Sequence, residues 1–369
     1  MRKALALARR MVGRTSPNPA VGCVIVRGGR RGGRIVGQGA TAEGGRPHAE
    51  AVALARAGAK ARGATAYVSF EPCAHRGRTP PCARALAEAG VRRVVVGCVD
   101  PYPPVRGRGL AMLRAAGVEA VSGVLEDECR RLNQGFITRV TRGRPFTTLK
   151  LALSLDGRIA AASGDSQWIS SPASRALVHR WRREADAVMV GAGTVLADNP
   201  RLTCRVPGGR DPVRVIIDGR LRCPPRARVF VERSAAPALL VKAIANVARA
   251  QRRYGGARVE VIGCPARRGG EIDLRALMRE LGRRGWCNVL IEGGAHLAGS
   301  ALGAGVVDRV AFFAAPIVIG AGTPAVEGLG LARVRDAIAL DRFSVRRLGG
   351  DLLIEADIAG RRRAPSRRA

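Results

Sequence analysis

The chain has 369 residues, 47% hydrophobic and only 4% aromatic, which suffices for two ordinary domains with Ala-, Val-, Leu- and Gly-rich cores. No run approaches the roughly 20 apolar residues of a membrane span, and the opening MRKALALARRM has too short an apolar stretch for a signal peptide, so it reads as an amphipathic helix. The net charge of +34 is nearly all scattered arginine, with four lysines and no interleaved aromatics, which suits a solvated surface and small phosphorylated substrates better than nucleic acid.

In chain order, a helix near 3–12 precedes strands at 21–26 (VGCVIV) and 34–39 (RIVGQG), joined by the Gly-rich hairpin loop at 27–34. A helix from about His48 to Ala59, a strand at 64–70, a helix from about Cys82 to Ala89, a strand at 92–98 and a helix around 108–116 follow. That order is a three-layer α/β/α sandwich. A helix near 126–140 leads to TRGRP at 141–145, where Gly and Pro break the pattern and set the domain boundary. Residues 1–143 form the first domain and 144–360 the second. Residues 361–369 are a basic tail of disordered composition. The second domain has a strand at 146–154, a helix at 172–184, and strands at 187–191, 213–218 and 288–294, with a helix after the last. Strands at 308–319, 342–348 and 351–358 complete a second α/β domain without any repeat of the first.

Nine cysteines and no export signal argue against a disulfide framework and for a cytoplasmic setting. Cys23, Cys98, Cys264 and Cys287 lie in apolar runs and read as small core residues. Cys73 and Cys82, in FEPCAHRGRTPPC, each follow a proline at a spacing too wide for a CxxC pair. Upstream, RPHAEAVAL puts His48 and Glu50 at the start of a predicted helix. H-x-E followed by P-C…C, in βαβ order, is the pattern of zinc-dependent nucleobase deaminases. One imidazole and two thiolates hold zinc and leave a fourth position for water, whose pKa the metal lowers to about 7. Glu50 is then no ligand but the carrier of a proton from water to the ring nitrogen and the departing ammonia. A closed structural zinc site needs a fourth ligand, for which His75 is the candidate, and leaves Glu50 without a purpose.

In the second half, IEGGAHLAG (291–299) reads as a strand, a Gly-rich turn and a helix start whose free N–H groups suit a phosphate. Without GxGxxG, a plain tight turn stays open. TVLADNPRLTCR sets Asp198, Arg201 and Arg205 in a loop after a buried strand, where they can line a site.

EPCAHRGRTPPC, with SPNPAVGCVIV before it and LNQGF (132–136) after it, resembles the bifunctional deaminase–reductases of riboflavin biosynthesis. LKLALSLDGRIA (149–160), SGDSQWISS (163–171), VGAGTVLADNPRLTCR (190–205) and IEGGAHLAG resemble the reductase half of that family, over roughly residues 145–358. The resemblance implies a cytidine-deaminase-like first domain and a dihydrofolate-reductase-like second. It implies zinc on His48, Cys73 and Cys82, with Glu50 as proton shuttle, deaminating 2,5-diamino-6-(5-phosphoribosylamino)pyrimidin-4-one. Asn18 would lie beside the pyrimidine, and the loop 75–81 would close over it with Arg76 and Arg78 on the phosphate.

For the second reaction the resemblance implies NADPH-dependent reduction of the ribosyl group to ribityl. Ala152, Trp168, Thr194, Asp198, Gly219 and the stretch Gly294, Ala295, His296, Leu297, Ala298, Gly299 and Ser300 would meet the cofactor. Ser166, Arg182, Leu202, Arg205 and Glu292 would hold the substrate, with Arg182 and Arg205 on its phosphate. Lys150 and Glu292 are candidates for polarising or protonating the sugar. The expected partners are small molecules and further copies of the chain, as a dimer or tetramer through the reductase sheet, with neither nucleic acid nor membrane.

The chain departs from the family pattern in four places. Thr41 stands where a His commonly precedes the metal helix, and Tyr102 where DPNP has Asn. Gly219 stands where a Ser follows the VIID strand, which leaves the choice between NADPH and NADH open there. The acidic-aromatic lead before the first helix is missing. The rival readings are a tRNA-type nucleic-acid base deaminase with an accessory domain, a chain keeping only one of the two activities, and a non-catalytic zinc scaffold.

Overall fold

The computed structural model describes residues 1–28, 32–75, 80–255, 258–266 and 270–360. Two compact units form. One is Met1–Pro145 with Gly282–Cys287; the other is Phe146–Leu281 with the chain from Asn288 onward.

The first unit contains α1 (Arg2–Arg9), β1 (Gly22–Arg27), β2 (Arg34–Ala40), α2 (Ala49–Ala57), β3 (Thr65–Phe70), α3 (Cys82–Glu88), β4 (Arg93–Cys98), α4 (Arg108–Ala115), β5 (Glu119–Val121), α5 (Glu126–Leu132) and α6 (Gln134–Arg142). The strands lie in the order β2–β1–β3–β4–β5, with β1 antiparallel to both neighbours and β3, β4 and β5 parallel. Alternation along β1 decides which helix covers which face. A Cβ on Gly22 would fall 1.9 Å from the Ala4 carbonyl oxygen in α1. One on Gly39, the partner of Cys23, would fall 2.6 Å from the Ala49 carbonyl oxygen in α2. Bare backbone at these points lets the two helices lie directly on opposite faces, and the result is the expected three-layer sandwich.

The helix expected over 126–140 is two helices. Asn133 interrupts it at φ −105° and ψ 19°. Its Oδ1 accepts from the Ala20 N–H at 2.8 Å and its Nδ2 donates to the Ala20 carbonyl at 3.1 Å. That buried two-point clamp on a segment 113 residues away sets the local conformation. It also ties LNQGF to SPNPAVG, two motifs far apart in sequence. The three residues of β5 are too few to show a periodicity and escaped the sequence reading.

The second unit contains β6 (Phe146–Ser154), β7 (Arg158–Ala161), α7 (Pro172–Glu184), β8 (Ala187–Gly191), α8 (Ala192–Asp198), β9 (Val213–Ile217), α9 (Arg228–Val231), β10 (Ala238–Ala243), α10 (Val247–Tyr254), β11 (Val259–Cys264), α11 (Leu274–Arg283), β12 (Asn288–Ile291), α12 (Ala295–Gly303), β13 (Arg309–Ala315), β14 (Gly322–Pro324), β15 (Leu340–Leu348) and β16 (Asp351–Ile358). Nine strands lie in the order β11–β10–β9–β8–β12–β6–β13–β16–β15. The first seven are parallel, and β16 is antiparallel to both β13 and β15. α7 starts where expected because Ser171 caps it, accepting from the Ser174 N–H, with Pro172 in the first turn. The strand expected over 288–294 stops at Ile291, and the chain then turns into α12. β12 returns between β8 and β6, so the strand order reverses there. The carboxyl ends of these three strands open the crevice where ligands of parallel sheets bind.

Candidate functional site

In the first unit, His48 is the residue before α2 and Glu50 lies in its first turn, 4% exposed. Cys73 follows the end of β3, and Cys82 opens α3, which packs on α2. His48 is 25 residues from Cys73 and 34 from Cys82, yet its Nδ1 lies 3.7 Å from Cys73 Sγ and 3.3 Å from Cys82 Sγ. The three ligand atoms all lie within 4.8 Å of one another. Tetrahedral zinc with bonds of about 2.0 Å to nitrogen and 2.3 Å to sulfur puts N and S about 3.6 Å apart, so the set fits that ion. Among the described residues the cluster has no fourth protein ligand; His75 lines the same cavity but stands outside it. This is the open geometry of a catalytic centre.

Charge at the cluster follows the same logic. Hydrogen bonds from Cys82 and His48, including the Cys82 N–H at 3.3 Å, bring the Cys73 thiol down to about 4 against the cost of burial. The neighbouring Cys73 sulfur, with burial, pushes Cys82 well above the thiol range. The Cys73 thiolate disfavours a second thiolate at Cys82, which is the electrostatic reason a dication fits between them. Burial lifts the Glu50 carboxyl to about 7, where it can both take and give a proton near neutrality.

A cavity of about 320 Å³ opens on this cluster, lined also by Asn18, Thr41, Arg46, Tyr102 and Arg139. Asn18 is held by Gly45, where a Cβ would come within 2.0 Å of Asn18 Nδ2. The Thr41 hydroxyl is spent on the backbone, accepting from the Val21 N–H at 3.0 Å. Tyr102 sits 41% exposed at this cavity. Arg76 and Arg78 lie outside the described residues. Sequence reasoning missed Glu71, 5% exposed, whose carboxylate accepts from the N–H groups of Asp100 (3.1 Å), Gly107 (3.0 Å), Gly109 (2.9 Å) and Leu110 (3.3 Å). It fixes the loop carrying Tyr102 to the start of α4. Its only signal in the sequence is an acid inside the apolar run SFEPC.

In the second unit a cavity of about 680 Å³ lies at the crevice between β8, β12 and β6. Of the expected residues it gathers Lys150, Ala152, Ser166, Trp168, Arg182, Thr194, Asp198, Leu202, Arg205, Glu292 and Gly294. Ser166 Oγ donates to Asp198 at 3.2 Å, and the Gly294 N–H donates to Thr194 Oγ1 at 2.9 Å. Trp168 is 69% exposed, its ring under the Arg175 guanidinium at 4.5 Å, so it is not a core anchor. The Arg182 guanidinium, expected at the substrate phosphate, is already engaged by Glu292 at 2.7 and 2.8 Å and by the Thr203 carbonyl at 3.1 Å. Burial opposes ionisation of Glu292, but Arg182 outweighs it and holds the carboxyl below the usual glutamate range. Burial lowers the Lys150 amine, with Glu292 opposing.

Other expected residues stand elsewhere. Ala295, Leu297, Ala298 and Gly299 are buried in α12 and His296 is exposed. Ser300 Oγ donates to Glu271 at 3.3 Å. Gly219 lines a separate cavity of about 900 Å³ with Lys242, Arg249 and Arg253. An exposed indole, together with the Gly293–Gly294 backbone leading into α12, suits the flat ring and phosphates of a dinucleotide.

Comparisons with known proteins find relatives of both units. The profile described as the RibD C-terminal domain matches residues 145–354, and that of the cytidine and deoxycytidylate deaminase zinc-binding region matches residues 1–98. The riboflavin biosynthesis protein RibD of Aquifex aeolicus is 41% identical over 96% of both chains. That of Escherichia coli is 40% identical over 96% of this chain and 97% of its own. Among solved structures, a diaminohydroxyphosphoribosylaminopyrimidine deaminase/5-amino-6-(5-phosphoribosylamino)uracil reductase of Thermotoga maritima superposes with a TM-score of 0.86 at 37% identity, covering 97% of each chain. Acinetobacter baumannii RibD gives 0.85 at 36%, covering 97% of this chain and 98% of its own.

Proposed function

The chain belongs to the RibD family of bifunctional deaminase–reductases of riboflavin biosynthesis, and from that premise we propose which residues perform each of its two consecutive reactions. Residues 1–143 deaminate 2,5-diamino-6-(5-phosphoribosylamino)pyrimidin-4-one. Residues 144–360 reduce the deaminated ribosyl compound to 5-amino-6-(5-phosphoribitylamino)uracil. The observation that carries the first half is the open His48–Cys73–Cys82 cluster with the buried Glu50 in the first turn of the helix that follows His48.

Zinc, when bound by His48, Cys73 and Cys82, supplies a Lewis acid that makes water nucleophilic at neutral pH. Glu50 would take the first proton of the attacking water and give it to the ring nitrogen, then take the second from the newly added hydroxyl and give it to the amino group that leaves as ammonia. Asn18, braced by Gly45 and by the Asn133 clamp on Ala20, orients the pyrimidine.

NADPH, when bound, supplies the hydride for the second reaction. Trp168 and Gly294 orient it along the crevice, with Ala152, Thr194 and Asp198 beside it. Arg205, exposed at the cavity, takes the substrate phosphate. Arg182 keeps Glu292 ionised, so Glu292 holds the sugar as an acceptor and Lys150 supplies its proton.

No described helix is long and apolar enough to cross a membrane, and none of the nine cysteines is disulfide-bonded, which goes with residence in the cytoplasm. β15 is an edge strand exposed along its length, Phe343 by 64%, so a second copy is the expected cover. Base deamination in tRNA has no observation in its favour.

The test is mass spectrometry of the products made from the diaminopyrimidine phosphoriboside by zinc-loaded protein. Deaminated ribosyl product without NADPH and ribityl product with it is the expected outcome. Zinc-replete protein that leaves the substrate unchanged overturns the reading.

A further inference from the structure

The reductase cavity contains a histidine to which neither reaction has given a task. On α7, Arg175, His179 and Arg182 follow one another at helical spacing, and all three line the cavity. Arg175 is occupied by the Ser170 carbonyl and the Trp168 ring. Arg182 is occupied by Glu292 and by the Thr203 carbonyl at 3.1 Å. His179 shares that carbonyl, its Nδ1 standing 3.2 Å away. A carbonyl oxygen can only accept, so Nδ1 carries the hydrogen and the ring gains or loses its proton at Nε2. Among the described residues Nε2 makes no hydrogen bond, which leaves it open to a ligand in the cavity.

The charge around this ring suits an anion. Arg182 on the same helix, Arg205 from the loop after α8 and Glu292 from the end of β12 are the charged groups that face it. Burial, then Arg182 and Arg205, hold the imidazole below its ordinary 6.5, against the Thr203 carbonyl and Glu292. The charge of Arg182 is already matched by Glu292. A phosphate monoester brings up to about two negative charges and three acceptor oxygens, and Arg205 alone meets one of those charges. An imidazolium beside Arg205 meets the other. The phosphate in turn offsets the cost of charging a half-buried ring next to two guanidinium groups.

We propose that His179 is a further phosphate-binding residue of the reductase, its Nε2–H donating to the substrate phosphate beside Arg205, so that substrate binds together with a proton. This rests on the reductase reading above and adds to it a pH limit on substrate affinity. The free ring titrates below 6.5 and the phosphate lifts the liganded ring, so affinity falls as pH rises from the first value through the second. The phosphate itself, with a second pKa of about 6, is dianionic over most of that range and adds little proton dependence of its own.

Steady-state reduction of 5-amino-6-(5-phosphoribosylamino)uracil by the full chain at saturating NADPH, from about pH 6.5 to about pH 8, tests this in wild type and His179→Gln. Wild-type KM is expected to rise across that range by up to about tenfold per pH unit, the limit for one proton. His179→Gln should raise KM about tenfold at the acid end, for the loss of a charged hydrogen bond, with little change in kcat and a flattened pH dependence. The same compound without its phosphate should show neither effect, which a merely structural role for His179 would not produce. If His179→Gln fails to fold, calorimetry of the wild type in buffers of differing ionisation enthalpy must show proton uptake near neutral pH with the phosphorylated compound and none without the phosphate. A variant whose KM still climbs with pH as in the wild type, or that loses equally on the unphosphorylated compound, overturns the proposal. Wild-type protein that forms no ribityl product at any pH sinks the reductase reading instead.

Discussion

Arg182 reaches from α7 to Glu292, just past the end of β12, through two hydrogen bonds of 2.7 and 2.8 Å, with the side chains 13% and 8% exposed. A pair so shielded is coupled, because removing one partner leaves the other as an uncompensated buried charge. Arg182→Met and Glu292→Leu should each cost about 3–5 kcal/mol by urea denaturation. The double variant should recover most of that loss while all three lose reduction. Simple addition of the two single effects would show that the pair is not coupled.

The same pair sets an acid limit. Glu292 has a folded-state pKa below the ordinary 4.5, so its contribution is full above that value and is lost as pH falls through the lower, folded one. Between about pH 5 and pH 3 the wild type should therefore lose melting temperature more steeply than Glu292→Gln, which has no such proton to take up. Thermal scans at matched ionic strength decide it, and parallel slopes would remove Glu292 from the acid response.

Glu50 and Cys82 separate proton transfer from metal binding. Glu50→Gln should keep one zinc per chain and lose deamination by about 10²- to 10⁴-fold. Cys82→Ser should lose zinc and deamination together. Metal content by plasma mass spectrometry alongside turnover reads both. Each variant should still reduce substrate supplied already deaminated, because the reductase cavity lies wholly in the other unit.

Gly45 is a more distant lever on the first reaction. Its φ of +86° is strained for any other residue, and an added methyl would strike Asn18. Gly45→Ala should raise the KM for deamination about tenfold, for the loss of one well-placed hydrogen bond, and leave zinc content unchanged. Loss of zinc instead would mean that Gly45 supports the metal helix rather than Asn18.

Strands such as 146–154, 187–191 and 351–358 and the helix at 172–184 were legible in the sequence to the residue, because each carries a clear apolar run or a capping signal. The region from 219 to 287 was not. β10, α10, β11 and α11 carry no catalytic motif, and Lys242 sits in a run that reads simply as core. Glu71 escaped for a related reason: its four partners are backbone N–H groups, which leave no trace in residue identity.

Residue type carries chemistry, so HAE and PC…PC by themselves pointed to zinc, to His48, Cys73 and Cys82, which the fold brings together, and to Glu50 as the proton carrier proposed above. Arg182 is 110 residues from Glu292, and neither number nor motif pairs them. The tertiary structure decided that arginine's partner, the clamp of Asn133 on Ala20, and the cations gathered at β10. The physical reason is strand order. Local periodicity sets what each strand is, but the insertion of β12 between β8 and β6 is settled by long-range packing, and it is there that distant side chains meet.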